Sequence, residues 1–177
     1  MVLAAWIVGA VLLLWGLGAY NRLMRLRNAI SSAWGQLEAP LLELSSVGTR
    51  LADAGPRWLP QEASAFEALR TQSADLQAAV QAVKGRPYSA DPVGQLAVTN
   101  ALHAAALQRV QALLEHQVHD EDSERPQLLA ALKQARQQRD FGKQLFNQRV
   151  DLFNEAIDRL PTRVLAGLYG FHDARKF

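Results

Sequence analysis

A chain of 177 residues with a formal net charge of +2 and no cysteine excludes a disulfide framework, a thiolate nucleophile and a cysteine-ligated metal. Its 19 Lys and Arg and 17 Asp and Glu are spread along the chain without a basic run, so nothing marks a nucleic-acid partner. Ala, Leu, Gln, Arg and Glu dominate while β-branched and aromatic residues are sparse, a mixture that favours helix over strand and predicts an all-α protein.

The stretch 2–20, VLAAWIVGAVLLLWGLGAY, contains no charged residue. A bilayer core takes roughly 20 apolar residues of helix, and this stretch meets that length, so residues 1–20 read as a transmembrane anchor. A cleaved signal peptide, with Gly16 and Gly18 before the cut, is the competing reading. It lacks the positively charged start such peptides carry, and the helical pattern continues past the supposed site. Arg22, Arg25 and Arg27 follow the apolar run and no Lys or Arg precedes it, which by the positive-inside rule puts the N-terminus outside and the bulk of the chain in the cytoplasm. Trp6 and Trp15 are apolar bulk for lipid. Ala5 and Gly9 have the small-xxx-small spacing that lets two helices approach, which leaves a homo-oligomer open.

From Asn21 the helical pattern does not stop. Ile30, Trp34, Leu37, Leu41, Leu44, Gly48 and Leu51 fall at alternating steps of four and three on one face, and predict a first soluble helix over about 21–53. Pro40 lies inside it in phase and predicts a kink rather than a break; Gly55-Pro56 predicts the stop. A second helix after Pro60 carries Phe66, Leu69, Ser73, Leu76, Val80 and Val83, and ends with Lys84 at the dipole and Gly85 as a left-handed cap. Asp91-Pro92 reads as an N-cap and first position of a third helix with Leu96, Leu107, Val110 and Leu114 inside. Pro126 opens a fourth with Leu128, Leu132, Ala135, Phe146, Val150, Phe153, Ile157 and Leu160, closed by Pro161.

Four amphipathic helices with short connections predict an antiparallel four-helix bundle over 21–160, its first and fourth helices the longest at roughly 50 Å. The fourth helix must then end beside the start of the first, which brings the tail 161–177 back to the membrane. That tail mixes Leu165 and Leu168 with Arg163, Arg175 and Lys176, a composition suited either to a short amphipathic helix in the headgroup region or to packing across the bundle end. With Arg22 and Arg25, these are the candidate membrane-surface contacts.

Two sets of residues carry a resemblance. Tyr20-Asn21, Arg27, Ala33-Trp34 and Leu37 resemble the "YN…R…AW…I" signature that follows the anchor in the bacterial LemA family. Phe146-Asn147, Val150, Phe153-Asn154, Ile157 and Leu160-Pro161 resemble its "YN..V..YN..I..FP", and Val164-Leu165-Ala166 with Gly170-Phe171 resembles its tail. Two segments depart from the pattern: 43–51 is ELSSVGTRL where the family has an Arg-rich "DLIPNLV" segment, and Arg136 stands where a Glu is usual. The resemblance implies a divergent member of a family of membrane-anchored helical bundles in the bacterial cytoplasmic (inner) membrane. It carries over no catalytic residue and no cofactor.

His116-x-x-His119, followed by Asp120, Glu121 and Asp122, is the best metal candidate by spacing, although His at a helix end and acids after it are equally a solvated terminus. His103, among Leu102, Ala104 and Leu107, reads as a partly buried helix residue. Asn21, Asn147 and Asn154 read as amides that hydrogen-bond across the first and fourth helices near the membrane and fix register. Trp34 reads as core. The chain is therefore expected to be a non-catalytic scaffold touching lipid and protein partners; the alternative is a metal-binding protein or enzyme whose site is assembled between helices.

Overall fold

The computed structural model describes residues 2–115, 124–159 and 162–177, and their side chains other than those of residues 4, 5, 162, 164, 165 and 168. It is all-helical: α1 (Val2–Trp58), a single 3₁₀ turn (Pro60–Glu62), α2 (Ala63–Lys84), α3 (Ala90–Glu115), α4 (Glu124–Asp158) and the short α5 (Thr162–Tyr169), with no strand among the described residues. The apolar stretch 2–20 and the first bundle helix are one element of 57 residues, about 85 Å at 1.5 Å per residue. Along residues 2–17 its large apolar side chains, Leu3, Trp6, Leu13 and Trp15 among them, are exposed; the first fully buried one is Leu23. This N-terminal part is long and apolar enough to cross a membrane.

Beyond Leu23 each helix turns its apolar stripe inward: Ile30, Trp34, Leu37 and Leu41 from α1, Phe66, Leu69 and Leu76 from α2, Leu96 and Leu107 from α3, Phe146, Val150 and Phe153 from α4. α1 packs against both α2 and α4, and α2 lies between α1 and α3. The antiparallel order is fixed by contacts at both ends. Arg57, closing α1, meets Glu124, opening α4, at 2.9 Å, while Arg27 near the base of α1 bonds Tyr88 in the α2–α3 connection.

Four local expectations are corrected. α1 does not stop at Gly55-Pro56 but runs to Trp58, with Leu59 N donating to Gly55 O at 2.9 Å. The ring of Phe66 sits where a Cβ on Gly55 would be, 2.0 Å away, so tertiary packing on that glycine holds the turn together despite the missing proline N–H. Gly85 is not a left-handed cap: its φ is −75°, and the chain leaves α2 through right-handed turns. Asp91 is not an N-cap, because α3 already starts at Ala90; its carboxylate lies in the first turn, where it complements the helix dipole. Likewise α4 starts two residues before Pro126.

Pro40 is passed without a break. It has no N–H to give to Gln36 O, and α4 comes up against that carbonyl: a Cβ on Gly142 would stand 2.7 Å from Gln36 O and 3.0 Å from Leu37 Cα. The missing donor on one helix and the missing side chain on the other let the two longest helices approach at mid-bundle.

Candidate functional site

Among the described residues, two clusters of hydrogen-bonded polar groups are set into the bundle. The first is at the end beside the N-terminal apolar stretch, where α5 turns the chain round. Gly170, at φ 69°, follows the helix as its left-handed residue, and Phe171 N donates to Ala166 O at 2.9 Å, the six-to-one bond of a Schellman cap. Residues 171–177 then run back along α4 as extended chain.

Asn154 donates from Nδ2 to Ala174 O and accepts from Ala174 N, both at 2.9 Å. Asn147 does the same with Phe177, at 2.9 and 2.8 Å. The spacing explains the match: seven helical residues advance about 10.5 Å and three extended residues about 10 Å, so two amides two turns apart reach the backbone N–H and oxygen of two tail residues on one edge of the tail. Ala174 and Phe177 are buried by this docking, and Lys176 pairs with Asp151 at 2.9 Å. Phe171 packs edge-on to Phe153 at 6.4 Å and to Tyr20 at 6.2 Å, and Tyr20 also meets Tyr169 at 5.3 Å.

The expected amide bridge between the first and fourth helices is thus replaced. Asn147 and Asn154 bind the tail backbone, whose unpaired N–H and C=O groups are better served by an amide than another side chain would be, and Asn21 is exposed. Phe146, Val150, Phe153 and Ile157 are buried, and Trp34 packs edge-on to Phe146 at 6.1 Å with its Nε1 lacking a partner. The Arg27 guanidinium lies 3.7 Å over the Tyr88 ring. Arg22, Arg25 and Arg163 are exposed near the anchor. Arg175 and Lys176 are carried away from it by the reversed tail, with the Arg175 guanidinium where a Cβ on Gly94 would be. Pro161 and the side chains of Leu165 and Leu168 lie outside the described residues, as does the His116 to Asp122 run. Among the described residues no three His, Asp or Glu converge as metal ligands.

The second place is at mid-bundle, and spacing alone had not assembled it. Ser45 Oγ on α1 donates to Ser73 O on α2 at 2.8 Å; Ser73 Oγ bonds Leu69 O at 2.8 Å and His103 Nε2 at 3.2 Å. Ser73 has one hydroxyl proton, and Leu69 O is the nearer acceptor, so His103 is the donor in the pair. That polarity is the reverse of a base activating a serine. Gly48 makes room: a Cβ there would be 2.4 Å from Ser73 Oγ and 2.8 Å from His103 Nε2.

Opposite, Arg136 and Arg139 of α4 face the same level. Burial, then the charges of Arg136 and Arg139, push His103 down to about 4, so the ring is neutral at pH 7. Arg136 is itself lowered, by burial first and then by Arg139. Gly48 and Ser45 lie within the 43–51 segment. No protein-family model matches the chain, and no curated protein or solved structure matches it.

Proposed function

We propose that this protein is a single-pass membrane protein of the LemA type, a non-catalytic scaffold in a bacterial inner membrane with its N-terminus outside and its bundle in the cytoplasm. The observation that supports this most is the continuity of α1. One uninterrupted helix carries both the exposed apolar segment and the buried stripe that begins at Leu23, so the bundle's orientation is coupled to the anchor without a joint. Arg22, Arg25 and Arg163 are the groups nearest the headgroups. The exposed Phe141, Leu102 and Val98 on the outer faces are where protein partners or a second copy would dock.

The chain has no cysteine, so single cysteines report topology cleanly. In intact cells an impermeant maleimide is expected to label Val2→Cys and to leave Gln77→Cys, on an exposed position of α2, unlabelled until the membrane is opened. Labelling of Gln77→Cys from outside overturns the orientation. Crosslinking with mass spectrometry in native membranes tests the scaffold role, and recovery of the isolated monomer alone counts against it.

A further inference from the structure

We infer that the mid-bundle polar layer is the inner wall of a binding site for a small oxyanion-bearing molecule, its phosphate or carboxylate group held by Arg136 and Arg139 in the groove between α3 and α4. The first ground is the interruption of the core. At one level every helix gives up its apolar residue: Gly48 and Ser45 on α1, Ser73 on α2, His103 on α3, and Arg139, with only 18% of its side chain exposed, on α4. Elsewhere the buried positions of those stripes are apolar apart from Thr99, one turn before His103 on α3, and the close-contact glycines Gly55, Gly94 and Gly142.

The layer also opens to solvent on one side. α3 and α4 hardly touch, and the reversed tail occupies only the membrane end of their seam, with Arg175 against Gly94. What remains is a groove of about 520 Å³ with Leu44, Ala104 and Leu107 beneath and Asn100, Arg136 and Arg139 at its sides. That size is ordinary for a small-molecule site.

Charge selects the ligand. Two guanidiniums three residues apart share this face, and one carboxylate, Asp140, answers Arg139 at 2.9 Å. Arg136 has no hydrogen bond and no ion pair within 4 Å among the described residues, and the only carboxylate that stabilises its charge is the same Asp140, so two guanidiniums share one acid. Glu115 also lines the groove, but twelve residues along α3 from His103, about 18 Å away. The antiparallel bonds Arg139 to Asn100 and Arg125 to Leu114 O put Arg136 level with His103 instead. The site is therefore rich in donors and short of acceptors, and the neutral His103 adds no further cation. A lipid headgroup does not reach it: Leu44 is 24 residues beyond Tyr20, about 36 Å along α1.

The test uses the full chain in a neutral maltoside detergent, titrated with inorganic phosphate or succinate at constant ionic strength, by thermal denaturation and calorimetry. Either anion is expected to raise the unfolding midpoint saturably, where matched sodium chloride does not. Arg136→Gln and Arg139→Gln should each weaken binding at least tenfold, and Arg109→Gln, on an exposed part of α3, should not. Should a Gln variant fail to fold, Arg136→Lys keeps the charge and loses the two-pronged donor, and is expected to weaken binding several-fold. No saturable effect of either anion, or equal affinity in wild type and the Arg136 variants, overturns the inference; the latter result identifies binding elsewhere or a layer that only fixes helix register.

Discussion

The asparagine–tail clasp beside the apolar N-terminal stretch and the mid-bundle layer both place polar groups among apolar ones, and they do so to opposite effect. In the clasp both asparagine amides are answered: each accepts from the backbone N–H and donates to the backbone oxygen of one tail residue, and the tail seals the seam by burying Ala174 and Phe177. In the layer the ledger is open, with a neutral histidine, two guanidiniums that share one carboxylate, and a groove where α3 and α4 part. A satisfied network closes a fold, whereas an unsatisfied one at the edge of a cavity is a place for something to bind.

The comparison breaks first where the clasp is most apolar. Phe177→Ala is expected to destabilise the bundle by about 3 kcal/mol, since it removes a nearly buried aromatic side chain, and to free the tail. Chemical denaturation gives the size, and hydrogen exchange at Ala174 and Phe177 gives the locality. Unchanged exchange at these two amides would mean that Asn147 and Asn154 hold the tail without the ring.

The layer should announce itself through pH. His103 titrates at about 4 in the fold against an ordinary 6.5, because burial and the two arginines disfavour its charged form. Between those values the unfolded chain takes up a proton that the folded chain refuses. Stability therefore falls as pH is lowered from 6.5 to 4 and is flat in this respect above 6.5, by about 3 kcal/mol in all. Carboxylates contribute to acid unfolding too, so the measurement is the difference between wild type and His103→Gln across that window. Parallel curves would remove His103 as a titrating member of the layer.

How far these two regions were legible in the sequence follows from the range of the interactions. The bundle and its core were, because a three-four apolar period is a property of each helix alone: Trp34, Leu37, Leu69, Val110, Phe146 and Val150 fall inside as their spacing predicts. Gly48 and Ser73 already sat on those stripes. What the sequence lacked was the vertical register between helices, which brings them level with His103 and Arg139. The tail was half legible for a related reason. Its composition left headgroup contact and packing across the bundle end equally open, because the amides that capture it are on another element, and their seven-residue spacing gains meaning only beside an extended segment. Gly55-Pro56 was read as a local stop, and Phe66 overrides it from α2.

Within the clasp, Asn154→Ala should cost about 2 kcal/mol, because it leaves both the N–H and the C=O of Ala174 without their amide partner in a part-buried setting. Asn154→Asp is the sharper variant. A carboxylate can still accept from Ala174 N but cannot donate to its carbonyl, so half the exchange survives and the loss should be intermediate near neutral pH. Equal losses in the two variants would show that the donated bond carries the docking.

The smallest effect tests how the tail is aimed. Gly170 is the described glycine with positive φ, and no atom stands within 4 Å of where its Cβ would be. Gly170→Ala therefore adds no clash, only the cost of a left-handed alanine, about 1 kcal/mol. Asparagine tolerates that backbone better, so Gly170→Asn should recover part of the loss. The pair separates geometry from packing: if alanine and asparagine were equally costly, the reversal of the chain would depend on something other than the conformation at residue 170. A recovery by asparagine would mean that one dihedral angle directs residues 171–177 along α4, and so decides which part of the α3–α4 seam is sealed and which is left open.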